Sequence, residues 1–265
     1  FVGVFFFFAG ASALNNIQDR HRDKNMVRTR HRPLASGRRT VALALGVAIV
    51  CLVVGSVVLY LLGRDFLVPT VGLASVFLYN FVYTTLKSKS LWGIVAGAIC
   101  GALPVVIGWM ASSTNSYLVG GVTLHNLMQS DSFLPMMTIF TLVFLWQLPH
   151  FWLLMLHYQK DYEPNLRMLQ LFGKNQVERI TLIWSLGFGL FQLFLPLFDI
   201  VSISTMKIIL VINVLVVLAM LLKETFSRQK NYLSLFITLN CSMCLVMGLV
   251  IIEKTIFFGS RWTGY

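Results

Sequence analysis

Residues 41–62 read VALALGVAIVCLVVGSVVLYLL, a run without a single charged side chain. A helix of about 20 apolar residues can cross the roughly 30 Å hydrocarbon core of a bilayer. The chain contains eight apolar blocks, of which the first is shorter than the others: 1–15, 41–62, 66–86, 91–112, 133–157, 177–198, 200–222 and 231–252. This pattern predicts an all-α polytopic membrane protein.

The composition agrees with this prediction, because 57% of the 265 residues are hydrophobic and only 12% are charged. Soluble domains usually carry about 25% charged residues. No linker divides the chain, so we expect a single domain over residues 1–265. The first block is too short to cross alone and opens on Phe1 without an initiator methionine. We therefore expect the N-terminus to be missing, up to a whole earlier helix.

The net charge of +11 would suit a nucleic-acid partner, but the placement of the bases argues against one. With alternating spans, 17 of the 21 lysines and arginines share the side reached after the first block. The other four are Arg64, Lys207, Lys254 and Arg261. The positive-inside rule makes the basic side cytoplasmic, or the matrix side in an organelle. We expect a bacterial inner membrane, with a mitochondrial inner membrane less favoured.

The segment NNIQDRHRD at residues 15–23 places acids where an apolar block meets a basic one. At four-residue spacing, Asn15, Asp19 and Asp23 fall near one face of a helix. Carboxylate and amide oxygens are ligands for hard cations such as Mg²⁺, which often also bind substrate phosphates. The alternative is a solvated helix end, although polar residues this close to a membrane are usually functional.

Two basic segments on the same side are candidates for phosphate binding. Arg28 and Arg32 lie in RTRHRPL at residues 28–34, and guanidinium groups match phosphate oxygens. Tyr83 and Lys87 end the third block and can hydrogen-bond or neutralise a phosphate. Topology, anionic lipids and an interfacial aromatic belt remain alternative explanations for these residues.

A fourth segment places two histidines deep in an apolar block. Steps of 4, 7 and 4 link Trp146, His150, His157 and Asp161, so a continuous helix would present all four on one face. With Phe151 and Trp152, this face is predicted to line a chamber for an aromatic or isoprenoid ligand. A satisfied core histidine is the alternative.

Asp161 ends that face at the basic side of the membrane. It is a candidate for a second cation site opposite Asp19 and Asp23, with Glu163 or Asn165 assisting.

Small residues form a stripe in the fourth block. Gly93, Gly97, Gly101 and Gly108 alternate with alanines, which predicts close helix packing without chemistry.

Together these motifs resemble the UbiA superfamily of intramembrane prenyltransferases. The resemblance is strongest to the branch that farnesylates haem, because the matching segments occur in the same order as in that branch. These segments are NNIQDRHRD with Met26, Arg28, Thr29 and Arg32-Pro33-Leu34; Tyr83-Thr84-x-Leu86-Lys87; Gly101-Ala102-Leu103-Pro104 with Gly108-Trp109; and Pro149-His150-Phe151-Trp152 followed by Asp161-Tyr162. Two departures stand out. His21 replaces the middle acid of the usual first motif, and the sequence after Tyr162 differs from the usual one.

The resemblance implies nine transmembrane helices around a central cavity, of which about eight lie in this chain. It implies Mg²⁺-dependent transfer of a farnesyl group from farnesyl diphosphate to a vinyl group of haem B, with a terminal oxidase as the destination of the product. Asp19, Asp23 and Asp161 would then be the catalytic metal ligands, with Asn15 assisting. Terminal-oxidase assembly proteins are possible partners, and a nucleic acid is not expected.

Two other classes of function fit parts of the pattern. A related enzyme could prenylate a quinone precursor or another aromatic acceptor, although its second motif would usually carry a clearer pair of acids. A transporter or a non-catalytic haem carrier would need no prenyl chemistry.

Overall fold

The computed structural model describes residues 2–63, 66–87, 90, 92–113, 128–162, 167–227 and 229–262. Throughout these ranges the regular structure is helical, which confirms the predicted all-α class. The helices are α1 (Val2–Asn25), α2 (Val41–Gly63), α3 (Leu67–Phe77), α4 (Thr84–Leu86), α5 (Trp92–Ser113), α6 (Phe133–His157), α7 (Gln159–Tyr162), α8 (Arg167–Phe191), α9 (Ser204–Phe226) and α10 (Tyr232–Trp262).

Two elements depart from regular α-helical geometry. A π-helical turn at Leu78–Tyr83 joins α3 to α4, and a 3₁₀ segment at Gln192–Phe198 extends α8. Gly173 interrupts α8 with a φ of 68°, a conformation that glycine adopts without strain.

Within the described ranges, seven helical spans are long and apolar enough to cross a membrane: Val41–Leu62, Leu67–Leu86, Trp92–Ser112, Phe133–His157, Leu171–Phe198, Ser204–Phe226 and Tyr232–Thr255. The protein is therefore a multi-pass integral membrane protein. Helix α1 continues ten residues beyond its apolar block, so Asn15, Asp19 and Asp23 all lie on one helix as predicted.

The chain forms two compact units. The first comprises residues 1–133 and 158–171, and its apolar core centres on Phe7, Leu59, Val68 and Ile107. Within it α1 packs closely on α2. A Cβ atom at Gly10 would lie 2.8 Å from the Leu52 side chain, so only a small residue allows this approach.

The second unit comprises residues 134–157 and 172–265. Its core contains Leu142, Phe188, Leu195, Val217 and Leu239, all fully buried.

A cluster of buried polar residues lies inside the second unit. The Asn213 side-chain amide donates to Gln192 Oε1 at 2.7 Å and to Ser242 Oγ at 2.8 Å. Gln192 Nε2 in turn donates to Ser242 Oγ at 3.1 Å. The three neutral side chains therefore satisfy one another where a membrane offers no water.

Candidate functional site

The end of α1 in the first unit gathers most of the predicted site residues. Asp19 pairs with Lys87, and its other oxygen lies 3.5 Å from Arg22 Nη1. Both members of the Asp19–Lys87 pair are largely buried, with side-chain exposures of 12% and 14%. Burial holds the pKa of the Lys87 ammonium below its usual value, and the neighbouring Asp19 carboxylate offsets part of that effect.

Asn15 joins this pair. Its side-chain amide fits best with the nitrogen 3.2 Å from Asp19 Oδ2 and the oxygen 3.2 Å from Lys87 Nζ. The same oxygen lies 3.0 Å from the Thr84 hydroxyl. Asn15 thus bridges the predicted metal-binding acid and the predicted phosphate-binding base. In the sequence, Thr84 is only one member of the motif around Lys87, because spacing along the chain does not show which side chain Thr84 faces.

The π-helical turn places Lys87 and Thr84 beside α1. The Asn80 carbonyl accepts a hydrogen bond from Gln18 Nε2 at 3.0 Å, and the Tyr79 carbonyl accepts one from the Thr84 hydroxyl at 2.9 Å. Both bonds use carbonyls of the wide turn, and the one from Gln18 fixes the turn to the helix that carries the acids. Local π-helical turns are frequent at functional sites.

Helix α5 packs against the same turn through two of the predicted small residues. A Cβ atom at Gly93 would lie 2.6 Å from Lys87 Cα, and one at Gly97 would lie 2.7 Å from the Tyr83 ring. The predicted close packing is confirmed at these two positions. Gly108, by contrast, faces open space among the described atoms. The Lys87 ammonium also lies 5.4 Å from the Tyr83 ring centroid.

Asp23 forms a second ion pair. Arg32 Nη1 lies 2.9 Å from Asp23 Oδ2 and 3.2 Å from Asn16 Oδ1. Asp23 is only 5% exposed, so the arginine compensates for its burial.

A cavity of about 490 Å³ opens beside this second pair. Its polar end is formed by Asn15, Asn16, Asp23 and Arg32, whereas Leu43 and Val47 of α2 contribute apolar wall. Such a cleft can hold an anion at one end and a hydrocarbon at the other. Asp19 and Lys87 do not line it.

Asp161 lies in the same unit but contacts backbone. Its Oδ1 accepts a hydrogen bond from the Val27 amide and its Oδ2 accepts one from the Arg28 amide, both at 3.0 Å. The Arg28 guanidinium lies 5.9 Å from the Tyr158 ring centroid. Glu163 and Asn165, predicted to assist Asp161, lie outside the described residues.

The predicted continuous helical face from Trp146 to Asp161 is wrong. Helix α6 ends at His157, and Asp161 lies on the separate four-residue helix α7. The Asp161 amide bonds to the Tyr158 carbonyl at 2.9 Å, a tighter turn than an α-helix makes. Four-residue spacing therefore continues past the point where the helix stops.

The other members of that face lie in the second unit. His150 Nδ1 is 3.0 Å from Asn240 Oδ1, and its ring lies 4.7 Å from the Trp146 ring and 4.8 Å from the Phe236 ring. Asn240 is not among the predicted site residues. A lone amide inside an apolar block nevertheless indicates a buried polar partner, which here is His150.

The remaining predicted pocket residues differ in burial. Trp152 is buried and meets Trp184 edge to face at 6.3 Å. Phe151 is partly buried and His157 is exposed at the end of α6. The indole nitrogens of Trp146 and Trp152 have no hydrogen-bond acceptor among the described residues. Each can therefore still donate to a ligand.

The donor groups at the end of α1 determine how well the site fits a divalent cation. Among the described residues, histidine, cysteine and acidic side chains form no group of three or more suited to a metal. Asp19, Asp23 and Asn15 nevertheless provide hard oxygen donors at successive turns of α1. This set suits a cation that completes its coordination with phosphate oxygens and water.

Comparison with known proteins places the chain in a class. The model of the UbiA prenyltransferase family matches residues 1–241, so the chain belongs to the UbiA prenyltransferase family. A UbiA homologue from Aeropyrum pernix K1, solved in its apo form, has a TM-score of 0.75 to this chain at 15% identity. The match covers 96% of this chain and 87% of the homologue. At that identity the likeness shows the fold alone, and it confirms the predicted helical architecture.

Several relatives carry one particular name. A protoheme IX farnesyltransferase of Oleidesulfovibrio alaskensis is 28% identical over 258 residues, which cover 97% of this chain and 84% of that protein. The protein of the same name from Nitratidesulfovibrio vulgaris is 29% identical over 96% of this chain and 82% of its own. A third, from Myxococcus xanthus, is 38% identical over 152 residues, 57% of this chain and 46% of its own.

Proposed function

We propose that this protein transfers a farnesyl group from farnesyl diphosphate to a vinyl group of haem B, which yields haem O. The observation that carries this proposal is the alignment of protoheme IX farnesyltransferases over 96–97% of the chain. The cluster at the end of α1 supports it, because acids and bases there are arranged for a charged headgroup. We propose one transmembrane prenyltransferase domain over residues 1–265.

The diphosphate-binding residues are proposed to be Arg28, Arg32, Tyr83 and Lys87. Lys87 and Arg32 are already held beside Asp19 and Asp23. Each base can therefore exchange a carboxylate partner for a phosphate oxygen without a large movement. Arginine offers paired donors to phosphate, whereas the Lys87 ammonium acts as a point charge.

UbiA prenyltransferases generally use a divalent metal, and we propose Mg²⁺ here. Asp19 and Asp23, with Asn15, would hold the ion, and Asp161 would contribute from the second loop. When bound, the ion offsets negative charge on the diphosphate. Its oxygen ligands match the hard donors present at the end of α1.

In the reaction, the bond between the allylic carbon and the diphosphate oxygen would break, and the leaving diphosphate would take the bonding electron pair. Lys87 and Arg32 would stabilise that leaving group. The vinyl group would then form the new carbon–carbon bond, and water would add a hydroxyl group to the resulting cation and release a proton. Aromatic faces such as Trp146, Phe151 and Trp152 would shelter the cationic carbon.

The acceptor pocket is proposed to contain His150 and His157 with the same aromatic residues. Within the second unit, His150 is oriented by Asn240, which leaves its second ring nitrogen to face a ligand. The unpartnered indole nitrogens of Trp146 and Trp152 support a polar ligand in this region.

We propose a bacterial inner membrane, with the loops at the end of α1 cytoplasmic. The bacterial relatives and the side on which the bases concentrate support this orientation. Contact with terminal-oxidase assembly proteins stays a prediction.

Purified protein with farnesyl diphosphate, haem B and Mg²⁺ tests the function directly. The pigment should gain the mass of one hydroxyethylfarnesyl group, as seen by mass spectrometry. An unchanged pigment together with prenylation of a quinone precursor would favour the other acceptor class. Haem binding that is indifferent to Mg²⁺, with no prenyl product, would instead indicate a carrier.

A further inference from the structure

Asp161 contacts a loop more than 130 residues away in the chain. Its two oxygens accept from two successive amides, those of Val27 and Arg28, at 3.0 Å each. A carboxylate that serves two neighbouring amides fixes both the position and the direction of the backbone between them.

Those two amides belong to a turn that needs an outside acceptor. Helix α1 ends at Asn25, and the Met26 carbonyl then accepts from the Thr29 amide at 3.1 Å and the Arg30 amide at 2.9 Å. The first donors of such a turn have no acceptor within it. Asp161 supplies one for Val27 and one for Arg28.

A second contact acts on the side chain of Arg28. Tyr158 lies three residues before Asp161, and its ring centroid is 5.9 Å from the Arg28 guanidinium carbon. The bond from the Asp161 amide to the Tyr158 carbonyl keeps both groups on one tight turn. One segment therefore contacts both the backbone and the guanidinium of Arg28.

The same loop carries Arg32, which lines the cavity and pairs with Asp23. We propose that Asp161 is a positioning residue: it anchors residues 26–32 so that Arg28 and Arg32 are held ready for the diphosphate. The inference rests on the proposed function. This positioning role is compatible with the predicted metal contact, because each amide occupies only one lone pair of the carboxylate oxygen that it contacts.

Hydrogen exchange of the full chain in detergent tests the anchor without any catalysis. In Asp161→Ala the amides of a peptide spanning residues 26–32 should exchange at least about tenfold faster than in the unmodified protein. Asp161→Asn keeps one acceptor oxygen and should give an intermediate rate. Asp131→Ala, an exposed acid, is the matched control and should change nothing. Unaltered exchange in Asp161→Ala would overturn the proposal.

Binding of farnesyl diphosphate, measured without an acceptor, tests the consequence. Asp161→Ala should raise the Kd about tenfold or more, the equivalent of one hydrogen bond to a charged group. In an Arg28→Ala background, the fold increase in Kd caused by Asp161→Ala should be at least about three times smaller, because the positioned side chain is already gone. Equal effects in both backgrounds would overturn the proposal.

The two failures can be told apart. A protein that produces no farnesylated haem, yet shows the exchange and coupling described, would refute the proposed acceptor and support the anchor. Normal haem O production by a variant lacking Asp161 and showing unchanged loop exchange would refute the anchor and the metal contact proposed for Asp161, and would leave the proposed reaction intact.

Discussion

The polar cluster at the end of α1 and the polar cluster of Gln192, Asn213 and Ser242 are held together by different bonds. The first consists of two ion pairs, Asp19 with Lys87 and Asp23 with Arg32, and the second of these pairs lines an open cavity. The second consists of neutral groups buried inside the second unit. The charged groups of the first cluster compensate one another as ion pairs, whereas the neutral groups of the second need only hydrogen bonds to be satisfied within the membrane-spanning helices.

The two clusters also differ in how completely their partners are used. Asn213, Gln192 and Ser242 bond chiefly to one another, and this closed arrangement suits a structural role. In the ionic cluster, Arg32 pairs with Asp23 and Lys87 pairs with Asp19. Arg32 and Lys87 can each turn from a carboxylate towards a phosphate. The ionic cluster is therefore the one expected to govern chemistry.

Asp19→Asn should give the largest effect, because it removes a charge while preserving size. We expect the rate of farnesyl transfer to fall by at least about a hundredfold, since stabilisation of developing charge is lost. The rate is measured with purified protein, with Asp131→Asn as the matched control. Near-normal turnover would remove the functional distinction between the clusters.

Arg32→Lys should have the next largest effect. One nitrogen of Arg32, Nη1, contacts both Asp23 and Asn16. Lysine keeps the charge but lacks the planar guanidinium, which can bind two phosphate oxygens at once. We expect the KM for farnesyl diphosphate to rise about tenfold, with a smaller change in kcat. Arg30→Lys, at an exposed position of the same loop, controls for the general loss of arginine. An equal rise in both variants would assign the effect to the loss of any arginine from this loop rather than to the contacts of Arg32.

Asn213→Ala should lower stability rather than binding. It removes two donated bonds and leaves Gln192 Oε1 without that donor, a cost of about 1–2 kcal/mol. The midpoint of thermal unfolding in detergent should fall by roughly 2–8 °C. Val216→Ala on the exposed face of the same helix is the control. A changed Kd for farnesyl diphosphate with an unchanged midpoint would reverse the roles assigned to the clusters.

Gly97→Ala should give the smallest effect. The added carbon would lie 2.7 Å from the Tyr83 ring, and a ring can move aside more easily than backbone. We expect the KM for farnesyl diphosphate to rise about threefold as Tyr83 shifts, on the scale of a mild packing change. Gly108→Ala adds the same carbon where no described atom is within 4 Å, so it should match the unmodified protein.

The spans and the acids of α1 could be predicted because both depend on local periodicity. Apolar blocks long enough to cross a bilayer predict the spanning helices, and four-residue spacing predicts a shared face for Asn15, Asp19 and Asp23. The pairing of Asp19 with Lys87 joins residues 68 positions apart. Spacing along the chain does not show which helices become neighbours, so that contact required a structure.

The same limit explains the error at Asp161. Its spacing from His157 fits a helix, but α6 ends at His157, and Asp161 bonds to distant amides. Likewise, His150 could be recognised as unusual from its sequence, whereas its partner Asn240 lies 90 residues later. Tertiary contacts of this kind override a local pattern.

The wide turn at Leu78–Tyr83 also constrains how the length of this chain can vary. Each residue of a regular helix advances the direction of a side chain by about 100°. A single-residue deletion inside the turn would give a smoother helix, yet it would rotate Thr84 and Lys87 by that angle, away from Asn15 and Asp19. Descendants of this sequence should therefore tolerate substitutions in this stretch far more readily than a change in its number of residues.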